Sequence, residues 1–232
     1  MINTGKVWFS PLNVYWHIQK LTERVGVEAV EKERKYQSVR EARIGAVMAL
    51  MMFKRMNKPT YLQLYKPDPP DVILMQPSQL KKGQLDITLV EVTSYIRKPK
   101  ESLLDQLKRS KIRPGIPYLS EDYILVVNVG IGLEIGYEPL RDYLNENKNL
   151  FPYPIWTFQQ ISNYPDTIAR VVIVNPKIIT MDVNVGESAY LWKESKWPDV
   201  LNTRRVANPE LVRFEKSEEG YLSAPWETIG QE

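Results

Sequence analysis

The run Ile87-Thr88-Leu89-Val90-Glu91-Val92-Thr93 constrains the fold more than any other stretch of this chain. Apolar and β-branched residues occupy both of its parities, the pattern of a strand covered on both faces. Side chains alternate across a strand, so Ile87, Leu89, Glu91 and Thr93 share one face and Thr88, Val90 and Val92 share the other. Such a strand needs neighbours in a sheet and layers around it, and the flanking sequence provides both. The strongest helix signal covers residues 27–57, charged in its first half, apolar in its second, and stopped by Asn57-Lys58-Pro59. A shorter helix is predicted over 14–21. Residues 61–65 and 71–75 read as strands, and a polar loop over 77–84 joins the second of them to the central run as a hairpin. Then follow a helix over 101–111 ended by Pro114-Gly115, a buried strand over 123–129, a helix over 138–147, and strands over 170–174 and 178–183.

This order predicts an α/β protein with a mixed β-sheet flanked by helices. Residues 1–192 are expected to form one domain. Residues 193–232 carry turn-formers and charges without sustained periodicity, and are expected to be an irregular C-terminal extension that packs on the core or is partly disordered.

Composition narrows the chemistry. The chain has no cysteine and a single histidine, His17. Disulfides, thiolate sites and multi-histidine zinc sites are excluded, so any metal must take oxygen ligands, which favours Mg²⁺, Mn²⁺ or Ca²⁺. No apolar run approaches the roughly 20 residues of a membrane helix. The N-terminus lacks a secretory pattern, so a cytoplasmic protein is expected. The net charge of +3 diagnoses nothing by itself. Its distribution is more informative, because Lys98, Lys100, Lys108, Arg109, Lys111 and Arg113 crowd into sixteen residues.

Glu91 is the anomaly in the central run. Burying an unpaired carboxylate costs several kcal/mol or forces its protonation, so such a group has a partner, often a cation. Asp71, at the start of the preceding strand, comes near Glu91 if the hairpin pairs in the expected register. A divalent ion between two carboxylates would resolve their repulsion. On the long helix, Glu41 shares a stripe with Ile44, Gly45, Met48 and Met52, and therefore lies on the apolar face. Gly45, one turn further on, allows that helix a close approach to the sheet. Other readings stay open here: Asp71 as a turn residue, Glu91 paired with Lys or Arg, Glu41 paired with Arg34, Lys35 or the hairpin loop.

Helix Glu41, then Pro70-Asp71, then Glu91-Val92-Thr93 after nineteen intervening residues resembles the PD-(D/E)XK nuclease superfamily, the restriction-endonuclease-like proteins. The resemblance covers residues 30–130. It implies that Asp71 and Glu91 bind Mg²⁺ or Mn²⁺, with Glu41 as a further or outer acid and the Val92 carbonyl as a further ligand. It also implies metal-dependent hydrolysis of a phosphodiester in nucleic acid, with DNA the expected substrate. The basic cluster would hold phosphates through Lys98, Lys100, Lys108, Arg109 and Lys111, and Tyr95 would stack on or position the strand. That cluster taken alone also reads as a solvated helix face.

One position departs from the family. Thr93 stands where its lysine is found, and threonine carries no positive charge. Lys98, Lys100 and Lys108 are the replacements the sequence offers, with Lys98 and Thr93 kept among the candidate catalytic residues. The alternative function is a catalytically inactive nuclease-like subunit for nucleic-acid binding or assembly. A third is an interaction protein whose aromatic tail docks a partner. A homodimer is left open. The glycines of 130–136 are spaced wrongly for a dinucleotide fingerprint and read as a loop. There is no phosphate-binding G-x-x-x-x-G-K-[ST] loop and no G-x-S-x-G nucleophile.

Overall fold

A computed structural model of the chain describes residues 7–64, 70–77, 85–98, 101–112, 123–148, 154–162, 167–197, 200–205 and 212–216. In chain order the elements are β1 (Val7–Phe9), α1 (Pro11–Val25), α2 (Val27–Lys32), α3 (Gln37–Met56), β2 (Tyr61–Leu64), β3 (Val72–Pro77), β4 (Leu85–Tyr95) and α4 (Leu103–Ser110). They continue with β5 (Tyr123–Val129), α5 (Glu138–Glu146), β6 (Trp156–Gln160), β7 (Ile168–Ile173), β8 (Ile179–Asn184), α6 (Val185–Glu194), β9 (Val200–Arg205) and β10 (Val212–Lys216). A single 3-10 turn, Arg34–Tyr36, separates α2 from α3.

The chain divides into two units. The first comprises Met1–Thr88 and Glu187–Glu232, the second Leu89–Gly186. Neither junction coincides with the domain end expected at residue 192.

In the first unit the strand order is β10-β9-β1-β2-β3, with every neighbour antiparallel. The long helix signal is broken at Glu33, whose backbone is extended. The charged stretch 31–35 offers no apolar stripe to bury, and the Arg40 guanidinium bonds the carbonyls of Val30 and Glu33 instead, at 2.5 and 3.0 Å. These are carbonyls the end of a helix leaves without intrahelical partners. From Ile44 to Met51 every residue of α3 is buried. This helix contacts α1 as well as β2 and β3. It stops at Asn57, which takes the left-handed conformation at φ 51° while its amide bonds the Phe53 carbonyl at 2.7 Å.

The second unit is α/β with a mixed sheet flanked by helices. Its strand order is β4-β5-β6-β7-β8; β4, β5 and β6 run parallel, and β7 and β8 are antiparallel to their neighbours. Parallel neighbours require crossovers, and α4 and α5 supply them. Leu103 and Leu107 of α4, Leu140 and Leu144 of α5, and Leu125 and Val127 of β5 form one buried core.

Five elements were not expected: β1, β6, α6, β9 and β10. The extension read as irregular contains two of them, β9 paired with β1 and β10 paired with β9. Their charged sequences carry no alternation of their own, and pairing with a strand about 190 residues away is invisible to any local pattern. Among the described residues no helix is long and apolar enough to cross a membrane.

Candidate functional site

The parity argument for the central run holds along β4. Glu91 lies beside Leu125, Thr93 beside Val127 and Tyr95 beside Val129 in the parallel pairing with β5. Paired residues of parallel strands point the same way, so Glu91, Thr93 and Tyr95 share the face that carries the Leu125–Val127 core. Glu91 does have a cation. Its Oε1 accepts from Lys111 Nζ at 2.5 Å, with the Glu91 side chain only 12% exposed and that of Lys111 29%. The carboxylate is thus mostly buried, while its ammonium reaches toward solvent.

The delivery of Lys111 to this place follows from how α4 is built. Ser102 caps the helix: its Oγ accepts from the Asp105 amide at 3.1 Å, and its own amide donates to Asp105 Oδ2 at 3.0 Å. These reciprocal bonds satisfy donors that a helix start leaves open. Leu103 and Leu107 face the core. On that buried face sits Gln106, which the sequence reading missed. Its Nε2 donates to the Ser94 carbonyl at 2.8 Å and its Oε1 accepts from the Ile96 amide at 3.1 Å. One side-chain amide therefore completes the backbone bonding where β4 ends. The signal available in the sequence was a lone glutamine between Leu103 and Leu107 on an apolar stripe. At the other end, the amides of Lys111 and Ile112 both bond the Leu107 carbonyl, at 2.7 and 2.8 Å, and Ile112 is fully buried. Lys111 is held between two buried neighbours.

The capping box predicts an acid response. Hydrogen bonds from the Ser102 hydroxyl and amide hold the Asp105 carboxyl below its usual value. The folded value is the lower one, so this contribution is full above the ordinary aspartate range near ~3.9 and is lost as pH falls through the folded value. Asp105→Asn is expected to flatten the acid limb of the stability curve, measured by urea unfolding between about pH 2 and pH 6.

The other described basic residues of the cluster have partners within the chain. Lys98 lies 3.9 Å from Glu101, and Arg109 binds the same carboxylate side-on at 3.0 and 3.4 Å. Lys108 stands 4.1 Å above the Tyr143 ring. Tyr95 packs at the edge of the core and donates its hydroxyl to the Glu101 carbonyl at 3.1 Å. Lys100 and Arg113 fall outside the described residues, as does the hairpin loop over 78–84. The described part of the cluster is thus an ion-paired helix surface, with Glu101 shared between two of its cations.

In the first unit, Glu41 is buried at 8% exposure and accepts from Gln37 Nε2 at 2.8 Å. The sequence placed it on the apolar face, and there it lies. The close approach expected at Gly45 is present too: a Cβ on Gly45 would sit 2.6 Å from Cγ1 of Val72, the residue after Asp71. Helix α3 therefore touches β3 one turn beyond Glu41 and one residue beyond Asp71. Glu41 and Asp71 belong to the first unit, and Glu91, Val92 and Thr93 to the second.

No family model and no curated protein matches this chain.

Carboxylate and carbonyl oxygens are the right donors for Mg²⁺ or Mn²⁺. Among the described residues, no group of three or more histidine, cysteine, aspartate or glutamate side chains is placed to hold a metal ion. A metal at Glu91 would share that carboxylate with the Lys111 ammonium.

Proposed function

We propose that the chain is a divergent metal-dependent nuclease of the PD-(D/E)XK kind, hydrolysing phosphodiesters in nucleic acid, with DNA the expected substrate. The observation that carries this reading is Glu41: a buried carboxylate on the helix face whose next turn touches β3 immediately after Asp71. Burying an acid at that place has a desolvation cost, offset in part by the bond from Gln37. The parallel β4–α4–β5 arrangement that follows supports the same reading. Asp71 and Glu91 would be the metal ligands, with Glu41 and the Val92 carbonyl as further oxygen donors. When bound, the ion would polarise a phosphoryl oxygen and acidify a water. The chain's own residues would hold that ion, with the Lys111 ammonium beside Glu91.

The test is cleavage of single- and double-stranded DNA and RNA with Mg²⁺ or Mn²⁺. Asp71→Asn and Glu91→Gln are each expected to reduce cleavage by about 10²-fold or more, as loss of a charge at a reacting phosphate does. Cleavage that survives both changes removes the site assignment.

A second reading is an inactive nuclease-like subunit. Thr93 favours it, and so do the ion pairs that occupy Lys98 and Arg109. Its signature is the absence of cleavage, with Mg²⁺ raising the melting temperature of the wild type but not of Asp71→Asn or Glu91→Gln.

A further inference from the structure

We infer that Lys111 supplies the positive charge that the reacting phosphate meets beside Glu91, a charge no residue of β4 itself provides. The inference rests on the nuclease reading and assigns a residue within it. Three observations carry it. Lys111 Nζ lies on Glu91 Oε1, and Thr93, the next residue on that face of β4, has no charge. The other described lysines near the strand are engaged elsewhere, Lys98 with Glu101 and Lys108 over Tyr143. The backbone at Lys111 is fixed by Leu107 and Ile112, so its side chain starts from one place within reach of Glu91.

The chemistry suits that position. An ammonium has three N–H donors and no acceptor. One donated to Glu91 sets its orientation, and others remain for a phosphoryl oxygen at the solvent-facing side. Charge develops on that oxygen as a hydroxide adds to phosphorus and the ester oxygen departs. A cation already in place stabilises it without reorganisation. The ammonium also lowers the cost of a mostly buried carboxylate.

The experiment compares wild type, Glu91→Gln, Lys111→Gln, Lys193→Gln and the double variant Lys111→Gln with Thr93→Lys. Two measurements are made on each: Mg²⁺-dependent cleavage of a DNA duplex and of a single strand, and the rise in melting temperature on adding Mg²⁺. Lys111→Gln is expected to keep the Mg²⁺ shift and to lose cleavage by about 10²–10³-fold. Thr93→Lys in that background is expected to recover at least tenfold by returning a cation to the same strand face, and Lys193→Gln, at an exposed lysine of α6, to cleave like wild type.

Each contrary outcome points to one conclusion. A Lys111→Gln variant that cleaves as well as wild type, or faster, overturns the assignment and leaves the nuclease reading intact; faster cleavage would mean that the ammonium competes with the metal for Glu91. Loss of the Mg²⁺ shift in Lys111→Gln, or no recovery in a folded double variant, makes Lys111 a prop for Glu91 and also overturns it. A wild type that does not cleave, with or without a Mg²⁺ shift, fails the nuclease reading itself, and the assignment falls with it.

Discussion

Trp192→Ala is expected to lower the unfolding free energy of the first unit by about 3–5 kcal/mol, the range for deleting a buried large aromatic. Trp192 lies on α6 and is 1% exposed. Its ring meets Phe53 of α3 edge-on at 5.0 Å and Tyr61 of β2 at 5.4 Å. The substitution therefore removes apolar burial and two aromatic contacts, each worth about 0.5–1.5 kcal/mol beyond the area they bury. The indole N–H is buried and has no hydrogen-bond partner among the described residues. Trp192→Phe keeps a ring between Phe53 and Tyr61 and drops that orphan donor, so it should cost far less than alanine. Urea unfolding followed by far-ultraviolet circular dichroism reads both changes. An alanine variant within about 1 kcal/mol of wild type would mean that α6 is not an integral part of this core.

Gly45→Val is expected to destabilise the same unit by about 3 kcal/mol or more, through overpacking. Even alanine puts a carbon 2.6 Å from Val72 Cγ1 and 3.2 Å from Cγ2. The roughly 1 kcal/mol that alanine gains over glycine in a helix does not cover that clash. Val72 is fully buried and branched at Cβ, so it cannot swing aside as a long side chain would. Combining Gly45→Ala with Val72→Ala relieves the clash. The pair should therefore be more stable than the sum of the two single costs by about 1 kcal/mol or more, which a double-mutant cycle measures. Additive costs would place the close approach elsewhere.

Much of the framework was legible because local chemistry set it. The strand over 123–129 appears at those residues, since seven apolar and β-rich residues between turn signals leave little choice, four of them buried in the fold. The stop at Asn57 reflects a residue tolerant of left-handed backbone. Burial of Glu41 and the contact at Gly45 followed from helical spacing alone. The need of Glu91 for a cation was legible as well, but not the identity of the partner. Lys111 stood in the basic cluster as one phosphate contact among several, because sequence spacing cannot show which lysine a crossover helix returns to its own preceding strand. Gln106 was missed for a related reason: its bonds are to backbone at Ser94 and Ile96, and backbone partners leave no trace in side-chain patterns. The division of the chain into units was hidden by the longest-range pairing of all, β9 on β1.

That pairing has a consequence in time. Strand β1 is made first, and its neighbour β9 is added only after residues 10–199 have been joined. At ~5–20 residues per second this is a delay of roughly 10–40 s. Through that interval the N-terminal strands lack one of their final neighbours, and an unpaired edge invites association with other chains. The whole of Leu89–Gly186 leaves the ribosome within the same interval. The unit begun first is thus finished only after the other is complete, and a chaperone covering β1 through that interval would shield its edge until β9 pairs.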